Sequence, residues 1–154
     1  MRDLKLEQEL ALLRSLMSEA KAFRDTIQAT LNTEVVVPEH ESRFEELRQS
    51  LPELSKQFQL EAGLPEDDSA EKLFEGVTDL PALIQLTDLK KNKVYGRWHR
   101  FYMGLYAVQG RLKWRKEKLD ALSQVSLVLK RFFLNPFVLL IILAALVLLV
   151  LALR

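Results

Sequence analysis

The residue types that most often carry catalysis are sparse in this chain of 154 residues, which has no cysteine and two histidines. His40 stands between Glu39 and Glu41, but consecutive residues of a helix point in different directions and do not form one site. His99 is expected on the surface of a helical bundle. The sequence contains no metal-ligand spacing, no glycine-rich phosphate loop and no serine- or zinc-hydrolase motif. We therefore expect no enzymatic activity, no bound metal and no cofactor.

The chemistry that the sequence does favour is recognition by basic and aromatic side chains. Residues 84–131 hold 12 Lys and Arg against 3 Asp and Glu, a net charge of +9. Arginine and aromatic residues concentrate binding energy at protein interfaces, and each basic residue near anionic lipid contributes about 1 kcal/mol. The candidates for a surface that binds a protein partner or anionic headgroups are Arg97, Arg100, Tyr102, Tyr106, Arg111, Lys113, Trp114, Arg115, Lys116, Lys118, Lys130 and Arg131.

A second explanation of the basic segment remains open. Residues 1–83 hold 9 Lys and Arg against 18 Asp and Glu, a net charge of −9. An acidic N-terminal half that packs on a basic helix within one bundle accounts for this split, and the helix keeps a second face for lipid or a partner. Nucleic-acid binding is not expected, because the sequence has no known nucleic-acid-binding motif.

The basic and aromatic residues lie on what we predict to be one long helix, residues 93–134. Apolar residues recur there at alternating spacings of four and three, the pattern of a helical-bundle or coiled-coil seam. The candidates for an oligomer interface on this seam are Trp98, Phe101, Leu105, Val108, Leu112, Leu119 and Leu122. Because short helices of the same chain do not cover the whole seam, we expect a homo-oligomer.

Two polar residues, Arg115 and Ser126, interrupt this apolar seam. They face water if the bundle ends at Leu112. Alternatively they lie in an interface, where a buried polar residue sets register and copy number at a cost in stability. The lysines around Arg115 favour the first alternative.

Three glycines recur on the same predicted helix, at Gly96, Gly104 and Gly110. Each costs up to about 1 kcal/mol relative to alanine in a helix. We therefore expect a compensating role, which is either close approach by a neighbouring helix or adjustable curvature.

Residues 1–92 are predicted to be a cytoplasmic helical region. The predicted helices span residues 4–32, 39–62, 69–76 and 81–91. Pro52 is expected to kink the second helix without ending it, because the apolar stripe stays in phase across the proline. Gly63 is expected to end that helix in the left-handed conformation. Asp68-Ser69-Ala70-Glu71 has capping-box spacing, and Thr78-Asp79-Leu80-Pro81 is expected to cap the fourth helix.

An apolar segment, residues 137–153 (FVLLIILAALVLLVLAL), has no polar side chain at all. With the apolar residues before it, it forms a helix of about 22 residues or 33 Å, enough for a hydrocarbon core of about 30 Å. A buried core helix is the weaker alternative, because so small a chain has little other apolar surface to surround it. We predict a transmembrane tail anchor over residues 135–154, in which Ala145 and Ala152 form a small-residue stripe for helix packing.

The expected fold class is all-α, a cytoplasmic antiparallel helical bundle or coiled coil whose long C-terminal helix continues into one transmembrane helix. Lysine and arginine precede the apolar segment and Arg154 alone follows it, so the N-terminal part is expected in the cytoplasm and the C-terminus across the bilayer. The expected location is a prokaryotic inner membrane or otherwise an organelle membrane.

Two functions are compatible with this layout. The first is a non-enzymatic scaffold or adaptor that oligomerises and recruits a protein partner to the cytoplasmic face of a membrane. The alternative is an oligomeric membrane-perturbing or pore-forming effector. The uniformly apolar segment argues against the alternative, because it offers no polar face to a water-filled pore.

Overall fold

The structure, a computed structural model, describes residues 3–33, 35–133, 135, 136 and 138. Within these residues the chain contains helices and no β-strand, which confirms the predicted all-α class. The elements are α1 (Leu4–Thr33), α2 (Pro38–Ala62), a 3-10 helix (Glu71–Phe74), α3 (Leu80–Gln85) and α4 (Asp88–Phe133). There are two compact units: the N-terminal unit, Arg2–Leu112, and a second unit that begins at Lys113.

No helix in the described part of the chain is long and apolar enough to cross a membrane. The predicted span over residues 135–154, with its packing candidates Ala145 and Ala152, lies outside the described residues apart from three positions at its start.

Helices α1 and α2 form an antiparallel hairpin, because only a short connection joins Thr33 to Pro38. The buried apolar residues that face each other recur at spacings of three and four along each helix: Leu6, Leu10, Leu13, Leu16, Met17, Ala20, Phe23 and Ile27 on α1, with Phe44, Leu47, Leu51 and Phe58 on α2. Each large apolar side chain contributes about 1.5–3 kcal/mol by leaving water, so this stripe is the main source of the unit's stability.

Two contacts fix the register of the hairpin. The rings of Phe23 and Phe44 stack with their centroids 6.1 Å apart. At the edge of the interface, the Arg43 guanidinium lies 2.9 Å from the carboxylate of Glu19. The aromatic pair holds the helices by burial, whereas the ion pair is partly exposed and contributes little beyond orientation.

The local signals in α2 act as the sequence predicts. Pro38 occupies the first turn, and α2 continues through Pro52 to Ala62 without a break. Gly63 ends the helix in the left-handed conformation with φ +61°, and its N–H and that of Leu64 donate to the carbonyl oxygens of Leu60 and Gln59. A residue with a Cβ would be strained at this position, so glycine sets where the helix stops.

The helix predicted over residues 69–76 is wrong in type and length, because only Glu71–Phe74 is helical and it is a 3-10 turn. The Asp67 carboxylate accepts hydrogen bonds from the Ser69 N–H at 3.0 Å and the Ser69 hydroxyl at 2.8 Å, which holds the preceding residues in a turn. Gly76, at φ +77°, ends the segment. A turn on one side and a left-handed glycine on the other leave room for a single turn of helix.

The helix predicted over residues 81–91 is also wrong, because α3 ends at Gln85 and α4 already begins at Asp88. The predicted cap is confirmed: the Asp79 carboxylate accepts a hydrogen bond from the Ala82 N–H at 2.6 Å. Leu86 is extended, and the Thr87 carbonyl oxygen then receives the first N–H groups of α4. Leu89, at the start of α4, is 70% exposed.

Within the N-terminal unit, α4 joins the hairpin through the first part of its seam. The seam residues Val94, Phe101, Leu105 and Leu112 are buried in the same apolar core as the α1–α2 residues. The Trp98 indole N–H donates to the carbonyl oxygen of Ala20 on α1 at 2.7 Å. The Arg24 guanidinium lies 5.2 Å from the centre of the Trp98 ring. This contact gives a role to Arg24, which interrupts the apolar stripe of α1.

Candidate functional site: an arginine-lined groove

A groove of about 680 Å³ lies on the N-terminal unit, between the C-terminal half of α2, the segment after it, and α4. We call it the arginine groove. It is lined by Ser55, Phe58, Gln59, Leu64, Pro65, Asp67, Ser69, Lys72, Glu75, Arg97, Arg100, Phe101, Gly104, Leu105, Val108 and Arg111. Its volume is in the range of sites that bind ligands or anchor residues of a partner.

The floor of the arginine groove is apolar. Phe58 of α2 and Phe101 and Leu105 of α4 are buried beneath it, and Leu64 and Val108 are partly buried at its sides. Phe101, Leu105 and Val108 are seam residues that we expected in an oligomer interface. In this structure the first two pack in the core of a single chain and also present an edge to the groove.

Arg97 has a structural role at the rim of the groove. Its guanidinium donates hydrogen bonds to the carbonyl oxygens of Lys72 and Glu75, and it lies 3.4 Å from the Glu75 carboxylate. These contacts tie α4 to the end of the 3-10 helix. The charge of Arg97 is therefore already compensated within the chain.

The charge of Lys72, on the same side of the groove, is compensated as well. The Lys72 ammonium lies 2.6 Å from the Asp68 carboxylate. This hydrogen bond lowers the pKa of Asp68 below its ordinary value and raises the pKa of Lys72. The Asp67 carboxylate accepts two hydrogen bonds from Ser69, which orient it without neutralising its charge. Among the described residues neither Asp67 nor Asp68 forms an ion pair with an arginine of α4.

Arg100 and Arg111 are the uncompensated charges of the groove. Both are exposed, and no carboxylate among the described residues lies within ion-pairing distance of either. The Arg100 Nε–H has only a long contact, 3.4 Å, to the carbonyl oxygen of Gly96 in its own helix. Arg111 follows Arg100 by eleven positions, about 16 Å along a helix, and the floor residues of α4 lie between them.

Gly104 lies between these arginines and also lines the groove. We expected the glycines of this helix to allow either close approach by a neighbouring helix or adjustable curvature. Among the described residues no helix approaches them closely, because a Cβ placed on Gly96, Gly104 or Gly110 would meet no neighbouring atom within 4 Å. Adjustable curvature stays a prediction. The cost of each glycine to the helix is thus not offset by packing in the described chain.

A ladder of aromatic rings runs along a different face of α4. Trp98 stacks on Tyr102 with centroids 5.1 Å apart, and Tyr102 contacts Tyr106 at 6.1 Å. Tyr102, a predicted partner residue, is partly buried in this ladder, whereas Tyr106 is 55% exposed. Burial raises the pKa of the nearby Tyr95 hydroxyl above its ordinary value.

The stalk, which we define as residues 113–133 of α4, carries the other predicted surface residues. Lys113, Trp114, Arg115, Lys118 and Lys130 are exposed, Lys116 is partly exposed, and the side chain of Arg131 lies outside the described part. The Lys118 ammonium lies 5.1 Å from the centre of the Trp114 ring.

The seam of the stalk is exposed in the single chain. Leu119 is 38% exposed and Leu122 is 58% exposed. Arg115, which precedes them on the seam, and Ser126, which follows them, are exposed as well. Exposure within a single chain agrees with either of the two arrangements that we considered for the polar seam residues, and both stay predictions. The stalk therefore presents apolar residues to its surroundings within a basic segment.

Sequence reasoning missed the α2 side of the arginine groove. Phe58 belongs to the apolar periodicity of α2 and Leu64 follows the end of that helix, but nothing in their spacing relates them to Arg100. The available signal is Gly63, whose left-handed turn redirects the chain immediately after α2.

Comparisons of the chain with protein-family models, curated proteins and solved structures found no match.

Proposed function

We propose that the protein is a non-enzymatic adaptor that is anchored in a membrane by residues 137–153 and recruits a protein partner through the arginine groove. The observation that carries the recruitment is the pairing of an apolar floor with two arginines that no carboxylate of the described chain compensates. Aromatic and arginine side chains around a concave apolar surface are the usual composition of binding hot spots.

The membrane anchor is supported by the sequence of residues 137–153 and by the basic residues before them. Replacing both Ala145 and Leu146 with lysine adds about 2.5–3.5 kcal/mol per residue at the centre of a span. We expect this variant to be released by carbonate extraction of membranes, whereas the apolar exchange Ala145→Leu with Leu146→Ala should stay in the pellet. A lysine variant that still pellets would refute the anchor.

Recruitment through the groove can be tested by photo-crosslinking from within it in native membranes. A crosslinker at Val108, which lines the groove, should give a discrete adduct, whereas one at the exposed His99, on the opposite side of α4, should not. Arg100→Glu with Arg111→Glu should abolish the adduct from Val108, because it reverses the charge of the rim. Equal adducts from both positions, or an adduct insensitive to the charge reversal, would refute recruitment through the groove.

We also propose that the stalk associates with a second copy of the chain. Support comes from the four-three spacing of its apolar residues and from the exposure of Leu119 and Leu122. The seam of one copy is complementary to the same seam of another in a parallel pair. Leakage of dye from liposomes at low protein-to-lipid ratio would instead favour the membrane-perturbing alternative.

A further inference from the structure

We infer that the arginine groove binds an amphipathic helix about three turns long, with acidic residues flanking its apolar face. This inference rests on the proposed function and names the chemistry of the recruited partner. The groove runs along α4 from Arg97 to Arg111, with the two uncompensated arginines at Arg100 and Arg111, and is walled on its other side by α2 and the segment after it.

The separation of the two uncompensated arginines sets the length of the occupant. Arg111 follows Arg100 by eleven positions, about 16 Å along the helix, which is three turns. A helix of that length presents apolar residues at positions i, i+3, i+4 and i+7, enough to reach Phe58, Phe101 and Leu105 on the floor. An amphipathic helix laid in an apolar groove is a common mode of peptide recognition.

The charges of the groove set the charges of the occupant. Arg100 and Arg111 stand at the two ends of the α4 floor, and both lack a carboxylate partner in the described chain. Arginine forms paired hydrogen bonds with a carboxylate, which are stronger than neutral ones. A glutamate or aspartate on each side of the occupant's apolar face would meet one arginine at each end.

Gly104 explains why a helix fits and why glycine is tolerated in α4. Helices pack with their axes about 8–10 Å apart, and they approach more closely where one of them carries a small residue. A side chain at Gly104 would extend into the open groove, because a Cβ there meets nothing within 4 Å. Glycine at this position keeps the middle of the floor clear for the backbone of the bound helix.

The test uses the full chain in nanodiscs of zwitterionic lipid and a synthetic fluorescent peptide as the probe. The peptide is a capped three-turn helix with leucines on one face and glutamates at both ends of that face. A second peptide has lysines in place of the glutamates. Fluorescence anisotropy should show that the glutamate peptide binds about tenfold or more tightly than the lysine peptide, because each arginine–carboxylate contact is charge-assisted.

Two variants with one matched control examine the two parts of the inference. Arg100→Gln with Arg111→Gln should remove the difference between the glutamate and lysine peptides. Gly104→Leu should weaken binding of the glutamate peptide about tenfold or more by filling the groove. Gly110→Leu introduces the same side chain on α4 away from the groove and should leave binding within about twofold of the native chain.

Folding of the variants is checked independently by their melting temperatures. Leucine is a better helix former than glycine and meets no neighbour at Gly104, so Gly104→Leu should melt at or above the native temperature. Equal binding of the two peptides, absence of binding, or native binding by a normally melting Gly104→Leu would each overturn the inference. Displacement of the peptide by nanodiscs of anionic lipid, dependent on Gly104, would identify lipid as the occupant and also overturn it.

Failure of the inference remains distinguishable from failure of the proposed function. If the peptide does not bind but the adduct from Val108 is still sensitive to Arg100 and Arg111, recruitment stands and the assigned partner chemistry is wrong. If the variant with lysines at positions 145 and 146 still pellets, the proposed membrane anchor is wrong. The peptide-binding test does not depend on that result, because the same measurement can be made in detergent.

Discussion

Removing the indole N–H of Trp98 should destabilise the N-terminal unit, because this group links α4 to α1. In Trp98→Phe the hydrogen bond of 2.7 Å to the carbonyl oxygen of Ala20 is lost. The phenyl ring can still stack on Tyr102 and still offers a face to Arg24, although it is a weaker acceptor of a cation than indole.

The size of the destabilisation in Trp98→Phe depends on which groups lose a hydrogen-bond or cation–π partner. The carbonyl oxygen of Ala20 keeps its hydrogen bond within α1, so the substitution leaves no buried acceptor unsatisfied. A neutral hydrogen bond contributes about 0.5–1.5 kcal/mol net, and the weaker cation–π contact with Arg24 removes about 0.5 kcal/mol more. We expect the free energy of unfolding to fall by about 1–2 kcal/mol.

Urea unfolding of the full chain in detergent, followed by circular dichroism, measures this change. The matched control is Trp114→Phe, which alters the other tryptophan of the chain at a site that is 62% exposed. That variant should change the free energy of unfolding by no more than about 0.5 kcal/mol. Equal effects of the two substitutions would refute the view that Trp98 carries the docking of α4.

Three further predictions concern the stalk, a buried tyrosine and a helix cap. Leu119→Ser with Leu122→Ser should reduce self-association in analytical ultracentrifugation, while Leu127→Ser, equally apolar and exposed but off the seam, should not. Burial raises the pKa of Tyr95, so the unfolded chain loses the Tyr95 proton at a lower pH than the folded chain. The free energy of unfolding should therefore fall as pH rises past about 10, and it should fall less steeply in Tyr95→Phe. Asp79→Ala should lower the free energy of unfolding by about 1 kcal/mol, because it removes the cap of α3. Asp79→Asn should retain most of the capping stabilisation, and thermal unfolding measures both changes.

Local signals in the sequence were sufficient for α1 and α2. Their apolar stripes are continuous, Pro38 and Gly63 mark the ends of α2, and Pro52 does not shift the stripe out of phase. Each of these signals acts within one or two helical turns, so the tertiary structure has little opportunity to override it.

The segment between α2 and α4 was harder to predict because tertiary contacts decide its course. Leu73, Leu80 and Leu83 are buried in the core; the chain turns at Gly76 between the first two, and a second break at Leu86 separates α3 from α4. No periodicity in such short pieces distinguishes a 3-10 turn from an α-helix. The apolar residues predicted which side chains are buried but not how the backbone brings them there.

The arginine groove could not be predicted for a related reason. Phe58 and Phe101 are far apart in the sequence, and each carries a signal only for the helix on which it lies. Arg24 shows the same limit: within α1 it is an interruption of the apolar stripe, and its contact with Trp98 becomes visible only in the structure. A site built from separate helices requires the packing to be known first.

Ionic strength separates the two proposed binding surfaces, because different charges approach each other in each of them. In the groove, Arg100 and Arg111 would meet acidic groups, so partner binding should weaken as salt rises above about 0.1 M, where the screening length is about 10 Å. Two stalks side by side would each carry 6 Lys and Arg against 2 Asp and Glu over residues 113–133, so salt should strengthen their association. If salt shifted partner binding in the groove and self-association of the stalk in the same direction, the charges of one of the two surfaces would not determine what binds there.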